Sequence, residues 1–338
     1  MMVYDRYYYS ILPEVDRRIY RRLYNGIEKL KPEMTFINHP EQMHSLDQIL
    51  LFIGLDNPHI FYVDFQSCTI IESAISKTIE LTYWYSMEEI ATLKWKVDHV
   101  LGKMISGITG KNAYEKELAV HDLLVNNVTY NVEAANHPRQ YSPRASSIMG
   151  ALFYKTATCD GISKIAKLLL NLCNIKCIVV HGTAGGSGEG HAWNIVKIEG
   201  EAYHLDITWD ISESIPQHIS YSYMNLTDSD ILRDHTISMQ HPACTSTRFN
   251  YFRRSGLLAC GEQDVARIAT AAKIRGTNNL TFRYSGGDQA QFDELIRAAK
   301  QQLIEKASSD TPFQLRTRTN REQCVCSITL EQKMPGND

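Results

Sequence analysis

The chain has 338 residues, 43% of them hydrophobic and 22% charged, with a formal net charge of −3 at pH 7. That is enough apolar material for a sizeable core and suits two or three domains. The near-neutral charge offers no basic surface for nucleic acid or anionic lipid. No run reaches the roughly 18 apolar residues of a membrane span. The start, "MMVYDRYYYS", lacks the basic-then-apolar order of a secretory leader. The eight cysteines are scattered, without the dense, regular spacing of a secreted disulfide scaffold. These features predict a cytoplasmic protein of a reducing compartment.

There is no internal repeat and no low-complexity tract. "LPEVDRRIYRRLYNGIEKL" (12–30) sets Val15, Ile19, Leu23, Ile27 and Leu30 on one face with charges opposite, the pattern of an amphipathic helix. "LDQILLFIGLDNPHIFYVDF" (46–65) predicts a helix closing near Gly54, a proline turn and a short aromatic strand. "KTIELTYWYS" (77–86) predicts a further strand, followed by helices over 87–106 and 112–127 and a proline-rich loop over 137–146. Apolar spacing at Ile162, Ile165, Ala166, Leu169, Leu172 and Cys173 then predicts a helix that opens at Cys159, with Thr158 as its cap.

Past that helix the period changes from 3.6 to 2. "CIVVHGTA" (177–184), "HAWNIVKI" (191–198) and "AYHLDITWD" (202–210) are three strand candidates, the first two joined by "GTAGGSGEG". From Leu257 the pattern reads helix (264–275), strand (279–284), helix (289–306) and two strands (312–318 and 323–331), a small α/β unit. The chain thus divides into a helical and strand region (1–76), a core (77–256) and a small α/β domain (257–338).

A thiol at a helix N-terminus is favoured as thiolate by the unpaired N–H groups and the positive end of the dipole. The same N–H groups suit an oxyanion on an attacked carbonyl. Gly161 leaves room for a substrate beside the thiol. Alternatively, Cys159 is simply a small buried residue. His191 opens a strand after the glycine-rich loop, and Asp206 sits within the next strand. If Glu199-Gly200 is a two-residue hairpin turn, Ile198 faces Glu201, and Asp206 faces Trp193 on the side of the sheet that carries His191. Diagonal neighbours of this kind lie roughly 7–8 Å apart at the backbone, within reach of the two side chains. Asp206 then orients the imidazole, and His191 takes the thiol proton. His204 and Asp210 share the face of Asp206 as rival partners.

"TCDGISKIAKLLLNLCNIKCIVVHGTA", "GHAWNIVKIEGEAYHLDITWD" and "DHTISMQHPACTSTRFNYF" resemble the bacterial transglutaminase-like superfamily. "HDLLVNNVTYN" is similar to the helix and turn that precede its core, and "DNPHIFYV" to its upstream segment. The resemblance, over about residues 45–255, implies an α+β, papain-like transglutaminase core with a cysteine-opened helix packed on an antiparallel sheet. It implies a Cys159–His191–Asp206 triad acting on a protein or peptide substrate, with no cofactor and no metal. Papain-like enzymes carry an oxyanion glutamine just before the cysteine, where this chain reads "ALFYKTAT". Gln140 or the Cys159 backbone N–H is the expected substitute. His235 fits the pattern after the triad and is read as structural.

Gly190, Gly161, Trp193 and Gln140 are candidates for the substrate cleft; Trp193 and Trp209 could wall it or fill core, and for aromatics on strands core is the better default. "GTAGGSGEG" lacks the Lys-Ser/Thr ending of a phosphate loop and is either a flap beside His191 or a hairpin connection. Cys173, Cys177 and His181 lack the paired spacings of a zinc site. The leading expectation is a cysteine-dependent acyl-transfer enzyme working through a thioester, hydrolytic as a peptidase or deamidase. Transamidation of protein glutamine is the alternative, and a binding or scaffold protein on the same fold is a second. The flanking domains offer surfaces for a homo-oligomer or a protein partner.

Overall fold

The computed structural model describes residues 5–110, 112–137, 144–186, 188–216, 218–305 and 313–332. Two compact units are present. The first takes the chain up to Ser220 together with His235–Cys244, and the second takes Tyr221–Asp234 and the chain from Thr245 onward. Both mix helices with largely antiparallel sheet. No described helix is long and apolar enough to cross a membrane.

In the first unit the helix Glu14–Glu28 buries Val15, Ile19, Leu23 and Ile27, the face its spacing dictates. The helix Leu46–Asp56 starts on a capping box: Ser45 Oγ accepts from Gln48 N, and the Gln48 side chain accepts from Ser45 N. It runs through Gly54 to Asp56. The aromatic stretch that follows is not a strand. Its backbone meets the chain near Tyr83 through one bridge and two hydrogen bonds, Trp84 N to Tyr62 O and Asp64 N to Thr82 O. The strand expected over 77–86 is therefore Ser76–Glu80, which pairs with Glu33–Ile37 and Thr69–Glu72.

The helix Cys159–Leu172 is the centre of this unit. Beyond the predicted stripe it also buries Leu168, Leu170 and Lys167, so it is enclosed on most of its faces. It packs on the strands Lys176–Ala184 and Glu189–Ile198 and on the helix Ala113–Asn127. Lys167 can be buried because its ammonium donates to the carbonyls of Asp5 and Cys177 at 2.6 and 2.7 Å. The sheet beneath runs in the order His235–Ile237, Lys176–Ala184, Glu189–Ile198, Glu201–Leu205, every neighbour antiparallel. Glu199 (φ 49) and Gly200 (φ 93) form a two-residue turn with both residues at positive φ, and Ile198 pairs with Glu201. The glycine-rich connection is short, because pairing continues to Ala184 and Glu189.

The second unit has a sheet ordered Leu258–Ala259, Asn279–Tyr284, Val325–Gln332, Phe313–Asn320. The helices Glu262–Ile274 and Gln289–Ile304 cover it and enclose Phe282, Phe292, Leu295 and Ile328. Cys324 and Cys326 are free and buried in this unit.

Candidate active site

Cys159 is the first residue of its helix and is half-buried. Thr158 does not cap the first turn. Its hydroxyl donates instead to the Ala145 carbonyl at 3.2 Å, so no side-chain cap covers the N–H groups beside the thiol. Tyr8, Leu55, Val179 and Ala192 form the apolar cluster against which Cys159 packs.

The His191 ring bonds through Nε2 to Asp206 Oδ2 at 2.7 Å. Burial alone would push this imidazole down; the Asp206 charge and hydrogen bond, aided by Cys159, outweigh it and hold His191 at about 10. Burial would likewise raise Asp206, which is fully enclosed, but His191 and His235 hold it well below the usual carboxylate range. Trp193 stacks on the His191 ring, with centroids 5.8 Å apart and planes 17° from parallel.

Asp206 is not inside a strand. The strand Glu201–Leu205 ends one residue earlier, and Asp206 caps the helix Ile207–Glu213, accepting from Trp209 N at 3.1 Å through Oδ1. That leaves Oδ2 for two imidazoles: His191, and His235 at 3.1 Å. His235 reaches the site because its short strand lies beside Lys176–Ala184, where Gly182 pairs with His191. A Cβ on Gly182 would collide with the Thr236 carbonyl oxygen, so only glycine admits that approach.

The rival partners are otherwise engaged. His204 accepts from Trp193 Nε1 at 3.1 Å. Asp210, on the capped helix, accepts from His121 at 3.1 Å and from Ser220 at 3.0 Å. Asn194 of "GHAWN" donates to the carbonyls of Ser163 and Ile178, which ties the His191 strand to the Cys159 helix.

Two of the cleft candidates do not face a cleft. Gly161 is buried, and a Cβ there would strike the Ala145 carbonyl, so its missing side chain permits close packing rather than substrate access. Trp193 is 1% exposed and backs the imidazole as core. Gly190 is exposed, with open space around it, and adjoins His191. Gln140 lies outside the described residues. The half-buried aromatic near His191 is instead Trp209, 6.2 Å away. Tyr130 also belongs here. Its strand pairs with Thr156–Ala157, just ahead of Cys159, and burial raises its phenol to about 12 with help from Cys159, Glu189 and Asp206.

His191, Asp206 and His235 present three possible metal-ligand atoms within 4.8 Å of one another, the same atoms that are joined here by hydrogen bonds. Of the cysteine–histidine set with zinc-like residues, Cys173 ends its helix, Cys177 is buried in a strand and His181 is bound to Asp160.

Residues 102–207, which hold Cys159, His191 and Asp206, match the model of the transglutaminase-like superfamily. Over 105 residues the chain is 27% identical to kyphoscoliosis peptidase of Mus musculus, covering 28% of this chain. It spans 15% of that protein's length. Among solved structures, a TGase overlaps 56% of this chain and 53% of its own at 18% identity, with a TM-score of 0.32. A candidate cysteine protease from Cytophaga hutchinsonii overlaps 42% of this chain and 61% of its own at 16% identity, with a TM-score of 0.29. At the level of the superfamily the match supports a cysteine-dependent enzyme, without separating hydrolysis from transamidation. Residues 102–207 are thus similar to a transglutaminase-like superfamily core.

Proposed function

We propose that the protein is a cysteine-dependent acyl-transfer enzyme that cleaves peptide or carboxamide bonds, with Cys159 as nucleophile. The observation that carries this is the His191 imidazole, bonded to the Asp206 carboxylate at 2.7 Å and raised by both Asp206 and the Cys159 side chain, beside a thiol at the uncapped mouth of a buried helix. The thiol proton already rests on His191, which is held at about 10, when sulfur bonds to the carbonyl carbon. The oxyanion falls toward the Cys159 backbone N–H. Collapse breaks the C–N bond, His191 returns the proton to the departing amine, and a thioester remains. Water, deprotonated by His191, then releases the acid and restores the thiol. Asp206 keeps one imidazole nitrogen facing itself and stabilises the cation formed on the other side.

Hydrolysis is favoured over transamidation because water needs no second binding site, and the peptidase relative's name agrees with it. The test is a mass-spectrometric comparison of a peptide library treated with wild type or Cys159→Ala, with and without a primary amine. New termini or deamidated glutamines with wild type alone are the expected result. Amine adducts in their place would convert the reading to transamidation, and identical digests would reject an acyl-transfer enzyme for these substrates.

A further inference from the structure

Asp160, the residue after Cys159, and Lys164, on the same flank of the helix, form one wall of a cavity of about 290 Å³. The facing wall is apolar: Leu50, Leu51 and Leu55 from the helix Leu46–Asp56, then Phe61, Phe65 and Trp84. Leu55 also belongs to the cluster against which Cys159 packs, so the cavity adjoins the surroundings of the thiol. Phe65 and Trp84 are half-buried and Leu51 is 39% exposed, so part of the apolar wall is accessible to solvent, while Leu50, Leu55 and Phe61 are buried behind it.

The charges in the wall are already matched. Asp160 Oδ1 meets His181 Nε2 at 3.0 Å and Lys164 Nζ at 3.7 Å, and Lys164 also donates to the Ser146 carbonyl at 3.1 Å. Asp64 accepts from the backbone N–H groups of Gln66 and Ser67. Asp47 is exposed at the rim. Asn57 spends its amide N–H groups on Tyr20 Oη and the Ile53 carbonyl and leaves Oδ1 unpaired among the described residues. A charged occupant would have to break the Asp160 pairs, whereas an apolar one gains by leaving water. The volume lies at the small end of the ligand-pocket range and suits one large side chain.

We propose that this cavity is the side-chain pocket of the acyl-donor substrate, taking one large uncharged residue, aromatic or long aliphatic, beside the attacked carbonyl. The proposal rests on Cys159 being the nucleophile, so its test separates the two. Peptides acetyl-Xaa-Gln-Gly-amide and acetyl-Gln-Xaa-amide, with Xaa as Phe, Tyr, Leu, Ala, Lys or Glu, are titrated calorimetrically into Cys159→Ala, where no chemistry intervenes. Phe and Leu bind roughly tenfold or more tighter than Ala, Lys and Glu in at least one series. Leu51→Trp, which narrows the cavity from an exposed position, removes the difference. Equal affinities across both series, a preference for Lys or Glu, or no binding up to millimolar peptide would overturn the pocket. Iodoacetamide labelling of wild type reports on the nucleophile alone. If it fails while the Phe preference holds, the cavity is a side-chain pocket of a binding protein and its acyl-donor role falls with the enzyme reading.

Discussion

His235 Nε2 contacts Asp206 Oδ2 at 3.1 Å, on the oxygen that His191 Nε2 reaches at 2.7 Å. With Trp209 N on Oδ1, the carboxylate is fixed from three directions in a fully buried place. Under the proposed chemistry His235 is a positioning residue that holds the group orienting the base. His235→Gln is expected to lower kcat about tenfold, the worth of one buried hydrogen bond to a charge, with KM nearly unchanged. His235→Phe would lower it further. Steady-state kinetics on a cleaved peptide check this, and a change confined to KM would contradict it.

Asp206→Asn tests the electrostatics directly. The carboxylate is what holds His191 up against burial, to about 10. Under the proposed chemistry His191 acts as an acid in its protonated form, so kcat/KM is expected to fall on an alkaline limb near that value. Removing the charge leaves burial to lower the imidazole, and the limb moves to lower pH. The rate falls on the order of 100-fold or more. An unmoved limb would contradict the assignment.

Gly182→Ala should destabilise the first unit. The new methyl would collide with the Thr236 carbonyl, and the strand carrying His235 must withdraw to admit it. A loss of about 1–3 kcal/mol is expected by denaturant unfolding, accompanied by the kinetic deficit of His235→Gln. An unchanged midpoint would show that the strand yields freely.

His121 gives a stability window. Burial would lower this fully enclosed imidazole, but hydrogen bonds to Asp122 and Asp210 override it and raise it to about 9. A raised folded value means stability that is complete below the ordinary value of 6.5 and is lost as pH rises through about 9. The alkaline loss from pH 6.5 upward should be on the order of a few kcal/mol in wild type and flatter in His121→Gln. Parallel pH profiles for the two proteins would contradict the raised value.

Much of the core was legible because its signals are local. The Glu199-Gly200 turn set the hairpin register, and that register brings His191 and Asp206 to one side of the sheet. Apolar periodicity located the Cys159 helix, but its burial on the remaining faces depends on the N-terminal region folding over it. "YHLDITWD" alternates like a strand, and its aromatic and β-branched residues favour one. The competing signal was Asp206 itself, a good N-cap whose side chain takes the Trp209 N–H. His235 stands 29 positions from Asp206, and His121 is 89 from Asp210. Pairings at such separations leave no periodic trace. Gly161 is ambiguous in sequence for a related reason: a glycine can admit a ligand or a neighbouring backbone, and only the Ala145 carbonyl tells which.

The claim that Cys159 is activated by His191 can be measured most directly by iodoacetamide labelling at neutral pH, resolved cysteine by cysteine by mass spectrometry. Cys260, the exposed free cysteine, is the internal control. Cys159, although half-buried, is expected to react faster than Cys260 in wild type, and His191→Ala to abolish the excess. Labelling of Cys159 no faster than Cys260, or an excess that survives His191→Ala, would contradict the claim.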